Sequence, residues 1–126
     1  KPITIYGDGK QVRDILFIDD LVRAFELACE NIEKTKQQVY NIGGGVKNTI
    51  SLLELIEFIE KLIGRKVNYK FSGWRPFDQK VYISNINKAK RLLKWKPKTS
   101  LEEGLRKTID YFRSELEIHD QKSFKK

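Results

Sequence analysis

Apolar side chains recur along this chain with two periods, and the periods divide it into elements. Leu21, Val22, Phe25, Ala28, Cys29 and Ile32 fall three or four apart and predict a helix over 21–31 with one apolar face. Leu52, Leu55, Ile56, Ile59, Leu62 and Ile63 repeat that spacing. Ser51 and Glu54 form a capping-box pattern ahead of them, and Gly64 is a natural stop. Leu101, Leu105, Ile109, Phe112 and Leu116 predict a last helix, opened by the same pattern in Ser100 and Glu103. A shorter helix is expected from Asn85, acting as its cap, to about Leu93, with Trp95 packed at its end. Short β-branched and aromatic runs read as strands: Ile3–Tyr6, 13–18, 39–42, 67–71 and 81–83. Gly7-Asp8-Gly9 is a turn that would fold the first two into a hairpin-like pair. Asp19 or Asp20 is placed to cap the helix at Leu21. The order β-β-α-β-α-β-β-α-α predicts the α/β class. One unit is expected over 1–118, followed by a polar tail, 119–126, that should fray.

Composition narrows the class. With 126 residues, 40% of them hydrophobic and 33% charged, the chain suits one soluble domain. No run approaches the roughly 18 apolar residues of a membrane span, so no membrane partner is expected. Lys1-Pro2-Ile3 lacks an initiator Met and a signal pattern, and reads as the continuation of a longer chain. The single cysteine, Cys29, permits no internal disulfide; it is expected as a buried packing thiol in a reducing, cytoplasmic setting. The formal net charge of +8 suits an anionic partner or a lysine-rich solvated surface. The basic residues are dispersed, with neither zinc-finger spacing nor an RNA-binding aromatic signature, so no nucleic-acid partner is expected.

Two stretches carry candidate chemistry. In an extended chain Gln11 and Arg13 project on one face, and Arg13 beside a glycine turn is a plausible two-oxygen grip for phosphate. In Trp74-Arg75-Pro76-Phe77-Asp78-Gln79, the proline restrains Arg75. Arg75 is a second candidate anion grip, Asp78 a candidate acceptor for sugar or ribose hydroxyls, and an aromatic would flank the ligand. The plainer reading is a surface loop with an Arg75–Asp78 ion pair. Gly43-Gly44-Gly45 fits neither a dinucleotide fingerprint nor a P-loop and reads as a tight turn beneath another segment. Tyr6 and Lys10 match Tyr-x-x-x-Lys, but Gly7-Asp8-Gly9 between them is incompatible with the helix that brings such a pair onto one face. His119 stands alone, and no cysteine–histidine cluster suggests a metal.

Five segments in order resemble the C-terminal part of the extended short-chain dehydrogenase/reductases, the NAD-dependent sugar-nucleotide epimerases and dehydratases. They are 7–20, 39–45, 48–55, 75–79 and 92–97. Within that family, 48–55 and Asp78-Gln79 resemble most the CDP-paratose 2-epimerase (CDP-tyvelose epimerase) subgroup. The resemblance implies that Arg13 and Arg75 grip a nucleotide-diphosphate sugar, with Asp78 near the ribose and Gln11 lining the same pocket. It implies NAD in the intact enzyme, held with the catalytic Tyr-x-x-x-Lys in an N-terminal Rossmann half that this chain lacks. There, transient oxidation of a sugar carbon permits epimerisation or elimination. This chain by itself is expected to bind no NAD and to be inactive. Helix 21–31 and strand 39–42 would pack on the missing half, so exposed apolar surface and self-association into a homo-oligomer are expected. The rival reading is a non-enzymatic basic binding module for nucleic acid or a protein partner.

Overall fold

The long helices form where the periodicity places them, whereas the strands pair in an order that local pattern does not contain. The computed structural model describes the backbone of residues 2–123 and the side chains of residues 2–115. Its strands are β1 (Ile3–Tyr6), β2 (Val12–Asp14), β3 (Thr49–Ser51), β4 (Tyr69–Ser72) and β5 (Val81–Tyr82). Its α-helices are α1 (Ile18–Glu30), α2 (Ile32–Thr35), α3 (Leu52–Ile63), α4 (Asn87–Leu92) and α5 (Leu101–Ser123).

The expected hairpin between the first two strands does not form. β1 pairs in parallel with β4, Ile3 opposite Tyr69 and Tyr6 opposite Ser72. β2 is the centre of a separate three-stranded sheet, antiparallel to β3 and parallel to β5. Gly7 and Gly9 both have φ in the left-handed region, +84° and +74°, which glycine adopts without strain. The turn they make is held by the start of α3, whose Leu53 and Leu52 N–H groups donate to the Gly9 and Gln11 carbonyls at 3.0 and 3.2 Å. The chain therefore leaves one sheet and enters the other instead of folding back. β2 also ends earlier than expected: residues 15–17 form a loop and α1 begins at Ile18. Residues 39–42 are not a strand; Tyr40 and Ile42 pack half-buried against the core. The third strand is β3, immediately before α3.

α3 keeps both of its local signals. Ser51 Oγ accepts from the Glu54 N–H and the Glu54 carboxylate accepts from the Ser51 N–H, while Gly64 closes the helix at φ +72°. The N-cap of α4 is Ile86, without a side-chain cap, and not the expected Asn85, which stands one residue earlier with its Oδ1 accepting from the Asn87 N–H at 3.1 Å. At α5 the Ser100 hydroxyl accepts from the Glu103 N–H at 3.2 Å, and the Glu103 carboxylate pairs with Lys107. Phe112, expected inward, is exposed. The side chain of Leu116, those of the expected fraying tail, and residues 124–126 lie outside the described residues.

α1 departs most from expectation. Its N-cap is Phe17, without a side-chain cap, and neither Asp19 nor Asp20 caps it. Asp20 turns inward and is buried, because its carboxylate is taken by the chain after α4. The helix buries Asp20 and Ala24, with Leu27 half-buried, against a core of Ile86, Ala89, Leu93 and Trp95. That rotation leaves Val22, Phe25 and Cys29 exposed, so Cys29 is not the expected packing thiol. Among the described residues no helix is long and apolar enough to cross a membrane.

Candidate nucleotide-sugar site

The two sheets explain why distant residues meet. β1 runs parallel to β4 in one sheet and β2 parallel to β5 in the other. The crossovers 7–11 and 73–80 thus connect the same two sheets in the same direction and lie side by side. Trp74 rests on Gly7: a Cβ there would stand 2.7 Å from the indole, so only glycine lets the two crossovers come this close. All four residues singled out above sit on these crossovers or at their ends.

Arg13 projects from the central strand. Its Nη1 donates to the Val12 carbonyl at 2.8 Å and its Nη2 to Asp78 Oδ1 at 2.9 Å, across 65 positions of sequence. The Asp78 ion pair is therefore with Arg13, not with Arg75, and the Asp78 carboxylate occupies the grip it was expected to stand beside. The side chains keep 39% and 24% of their surface exposed, so the pair contributes only about 0–1 kcal/mol. Arg75 lies on the face of Tyr6, its Cζ 3.8 Å from the ring centroid. That contact contributes about 0.5–1 kcal/mol in so open a place.

Gln11 donates through Nε2 to the Tyr6 carbonyl at 2.9 Å. Its Oε1 is buried and has no hydrogen-bond partner among the described residues. A buried acceptor without a donor is costly, about 1–3 kcal/mol, and a ligand hydroxyl or a water would relieve it. The arrangement thus joins Gln11, Arg13, Arg75 and Asp78 through one intermediary, Tyr6, and one turn, in which the Asp78 N–H donates to the Arg75 carbonyl at 3.3 Å. Sequence reasoning missed Tyr6 and its double contact. Its only local signal is its place at the end of a strand before a glycine turn.

The three consecutive glycines are not a phosphate cradle. A Cβ on Gly44 would stand 2.0 Å from the Ile15 carbonyl oxygen, and one on Gly43 would stand 2.3 Å from Ser84 Oγ. The Gly45 N–H is committed to Asp14 Oδ2 at 2.9 Å. Gly44 lets the backbone of Ile15 pack in contact, and Gly43 leaves room for the Ser84 and Asp14 side chains.

Comparison with known proteins places the chain in a family. Residues 1–108 match the family described as GDP-mannose 4,6 dehydratase. The chain is 40% identical over 118 residues to a UDP-glucuronate 4-epimerase of Thermodesulfobacterium geofontis, covering 94% of this chain and 35% of that protein. It is 36% identical to the CDP-paratose 2-epimerase of Salmonella typhi, covering 88% of this chain and 33% of that protein. A UDP-glucuronic acid 4-epimerase from Bacillus cereus, solved with UDP-glucuronic acid and NAD, superposes with a TM-score of 0.80 at 38% identity. That match covers 90% of this chain and 36% of the other. The chain thus spans about a third of the length of the relatives it matches. Matches to UDP-sugar enzymes are as close as the match to the CDP-sugar enzyme, so the similarity does not single out a CDP-sugar. An α/β chain with this match over most of its length belongs to the extended short-chain dehydrogenase/reductases, in the branch of nucleotide-sugar epimerases and dehydratases.

Proposed function

We propose that this chain is the substrate-side part of a nucleotide-sugar epimerase or dehydratase and that it grips the diphosphate of the nucleotide. The observation that supports this most is that Gln11, Arg75 and Asp78 on two adjacent crossovers and Arg13 on the strand that follows are linked through Tyr6 and the Arg13–Asp78 pair. Arg13 and Arg75 each have planar forks suited to phosphate oxygens. Their present partners contribute about 1 kcal/mol or less each. A single phosphate oxygen on Arg13 would only replace the Asp78 carboxylate, whereas a diphosphate that reaches Arg13 and Arg75 together adds a charge-assisted contact that the Tyr6 ring does not supply. Gln11 Oε1 and Asp78 are the acceptors left for hydroxyl or N–H groups of the same ligand.

NAD belongs, on this reading, to the part of family enzymes that this chain does not cover. The exposed apolar side chains Ile18, Val22, Phe25 and Ile32 support the same reading, since they form a surface for that remainder to cover. Among the nucleotide classes in the relatives' names, CDP remains the narrower proposal and UDP its competitor.

Calorimetric titration with CDP- and UDP-sugars tests the proposal. In the full-length enzyme, Arg13→Ala and Arg75→Ala are each expected to weaken nucleotide-sugar binding about tenfold or more, a decade being about 1.4 kcal/mol, and to leave NAD binding nearly intact. Arg→Lys at either place should restore only part of the loss, because lysine lacks the planar fork. Unaltered nucleotide-sugar affinity in both alanine variants would remove these arginines from the site.

A further inference from the structure

We propose that Asp78 is a built-in competitor for the anion, whose carboxylate holds the Arg13 guanidinium until a ligand phosphate takes its place. The inference rests on the reading of Arg13 and Arg75 as a diphosphate grip, and it adds what sets the threshold for occupying that grip. Arg13 is held on the central strand of its sheet and anchored by the Val12 carbonyl. Asp78 instead sits on a turn outside either sheet. Phe77, next to it, has φ +63°, a strained conformation for a residue with a Cβ, and its ring is fully exposed. Nothing packs on that ring to stabilise the strain. The turn is tied down by Trp74 on Gly7, Arg75 on Tyr6 and the Asp78 carboxylate on Arg13.

Two of those three ties are the groups a diphosphate would engage. The exchange balances in charge: a ligand oxyanion replaces the carboxylate on Arg13, and the carboxylate is released. A ligand bringing a single oxyanion only swaps one charge for another and gains little. A ligand whose second phosphate also reaches Arg75 gains a contact that Asp78 cannot supply. Asp78 thereby discriminates diphosphates from monoanions, and its release frees it to accept from the ligand's hydroxyls.

Inorganic pyrophosphate is the probe, because it has no ribose for Asp78 to contact. Binding is measured by calorimetry on the protein. Asp78→Asn is expected to tighten pyrophosphate at least threefold. Asp8→Asn, which removes the same charge from the neighbouring glycine turn without touching Arg13, should change it less than twofold. In an Arg13→Ala background the gain from Asp78→Asn should vanish, which a general loss of negative charge would not do. If Arg13→Ala weakens pyrophosphate while Asp78→Asn leaves it unchanged or weaker, the competitor is overturned and the grip stands. Should Arg13→Ala leave pyrophosphate unaffected, the grip itself fails, and the competitor with it.

Discussion

Trp95→Ala is expected to destabilise the fold by about 3–5 kcal/mol, the range for deleting a large buried aromatic side chain. Trp95 is 0% exposed and packs among Ala24, Ile86, Ala89 and Leu93. Its neighbours include two alanines, which have no side-chain atoms to move into the space. The indole Nε1 also donates to the Asp20 carbonyl at 2.8 Å, a bond that joins α1 to the chain after α4 across 75 positions. Trp95→Phe refills most of the volume but leaves that carbonyl without its donor, so it should lose less than the alanine variant. Urea unfolding followed by circular dichroism measures both. A loss under about 1 kcal/mol for Trp95→Ala would mean that the packing around it is not what holds the domain.

Asp20→Ala should have an effect of similar size, about 3–5 kcal/mol, because it breaks a buried charge pair by removing one partner. The Asp20 carboxylate accepts from the Lys98 N–H at 2.9 Å, the Thr99 N–H at 2.8 Å and Arg23 Nη2 at 2.7 Å. Alanine leaves two backbone donors unmet and Arg23 with only its bond to the Lys96 carbonyl. Burial opposes the charge on Asp20, but the Arg23 guanidinium and the Thr99 and Lys98 amides outweigh it and hold the carboxyl below the ordinary carboxylate range. A folded-state pKa below the unfolded one means that the unfolded chain binds the proton first. The stabilisation is therefore fully present above about pH 4, the unfolded value, and is lost as pH falls through the folded one. Wild type should lose stability below pH 4 more steeply than Asp20→Asn, in which nothing titrates at that position. Parallel acid-unfolding slopes for the two proteins would show that Asp20 is not the group responsible.

The exposed apolar face of α1 and the buried carboxylate at its start come from one cause. Asp20 cannot both cap the helix and satisfy the Lys98 and Thr99 amides. The latter turns residues 20, 24 and 27 inward and leaves Val22 and Phe25, the latter 65% exposed, outside. In a family enzyme about three times this length, that face has further chain available to cover it.

What the amino-acid order determined by itself was local. α3, with its reciprocal cap at Ser51 and Glu54 and its stop at Gly64, needed only residues three or four apart, and so was fully legible. The same holds for the Ser100 cap of α5 and for Trp95 as a buried side chain. The four candidate residues could likewise be singled out as chemical types, two arginine forks beside constrained turns with an amide and a carboxylate near them. Tertiary structure decided everything that depends on which extended segment lies beside which. A short strand carries no mark of its partner, so β1 could be read as half of a hairpin until the start of α3 took the Gly9 and Gln11 carbonyls. Residues 39–42 had the composition of a strand but stand unpaired, because pairing requires a neighbour as well as a propensity. A carboxylate likewise accepts from whatever donors the fold presents. Asp20 was taken by amides 78 and 79 positions away and Asp78 by an arginine 65 positions away. Neither donor is visible from the residues on either side, and the side-by-side crossovers that bring Arg13 to Asp78 exist only once both sheets have formed.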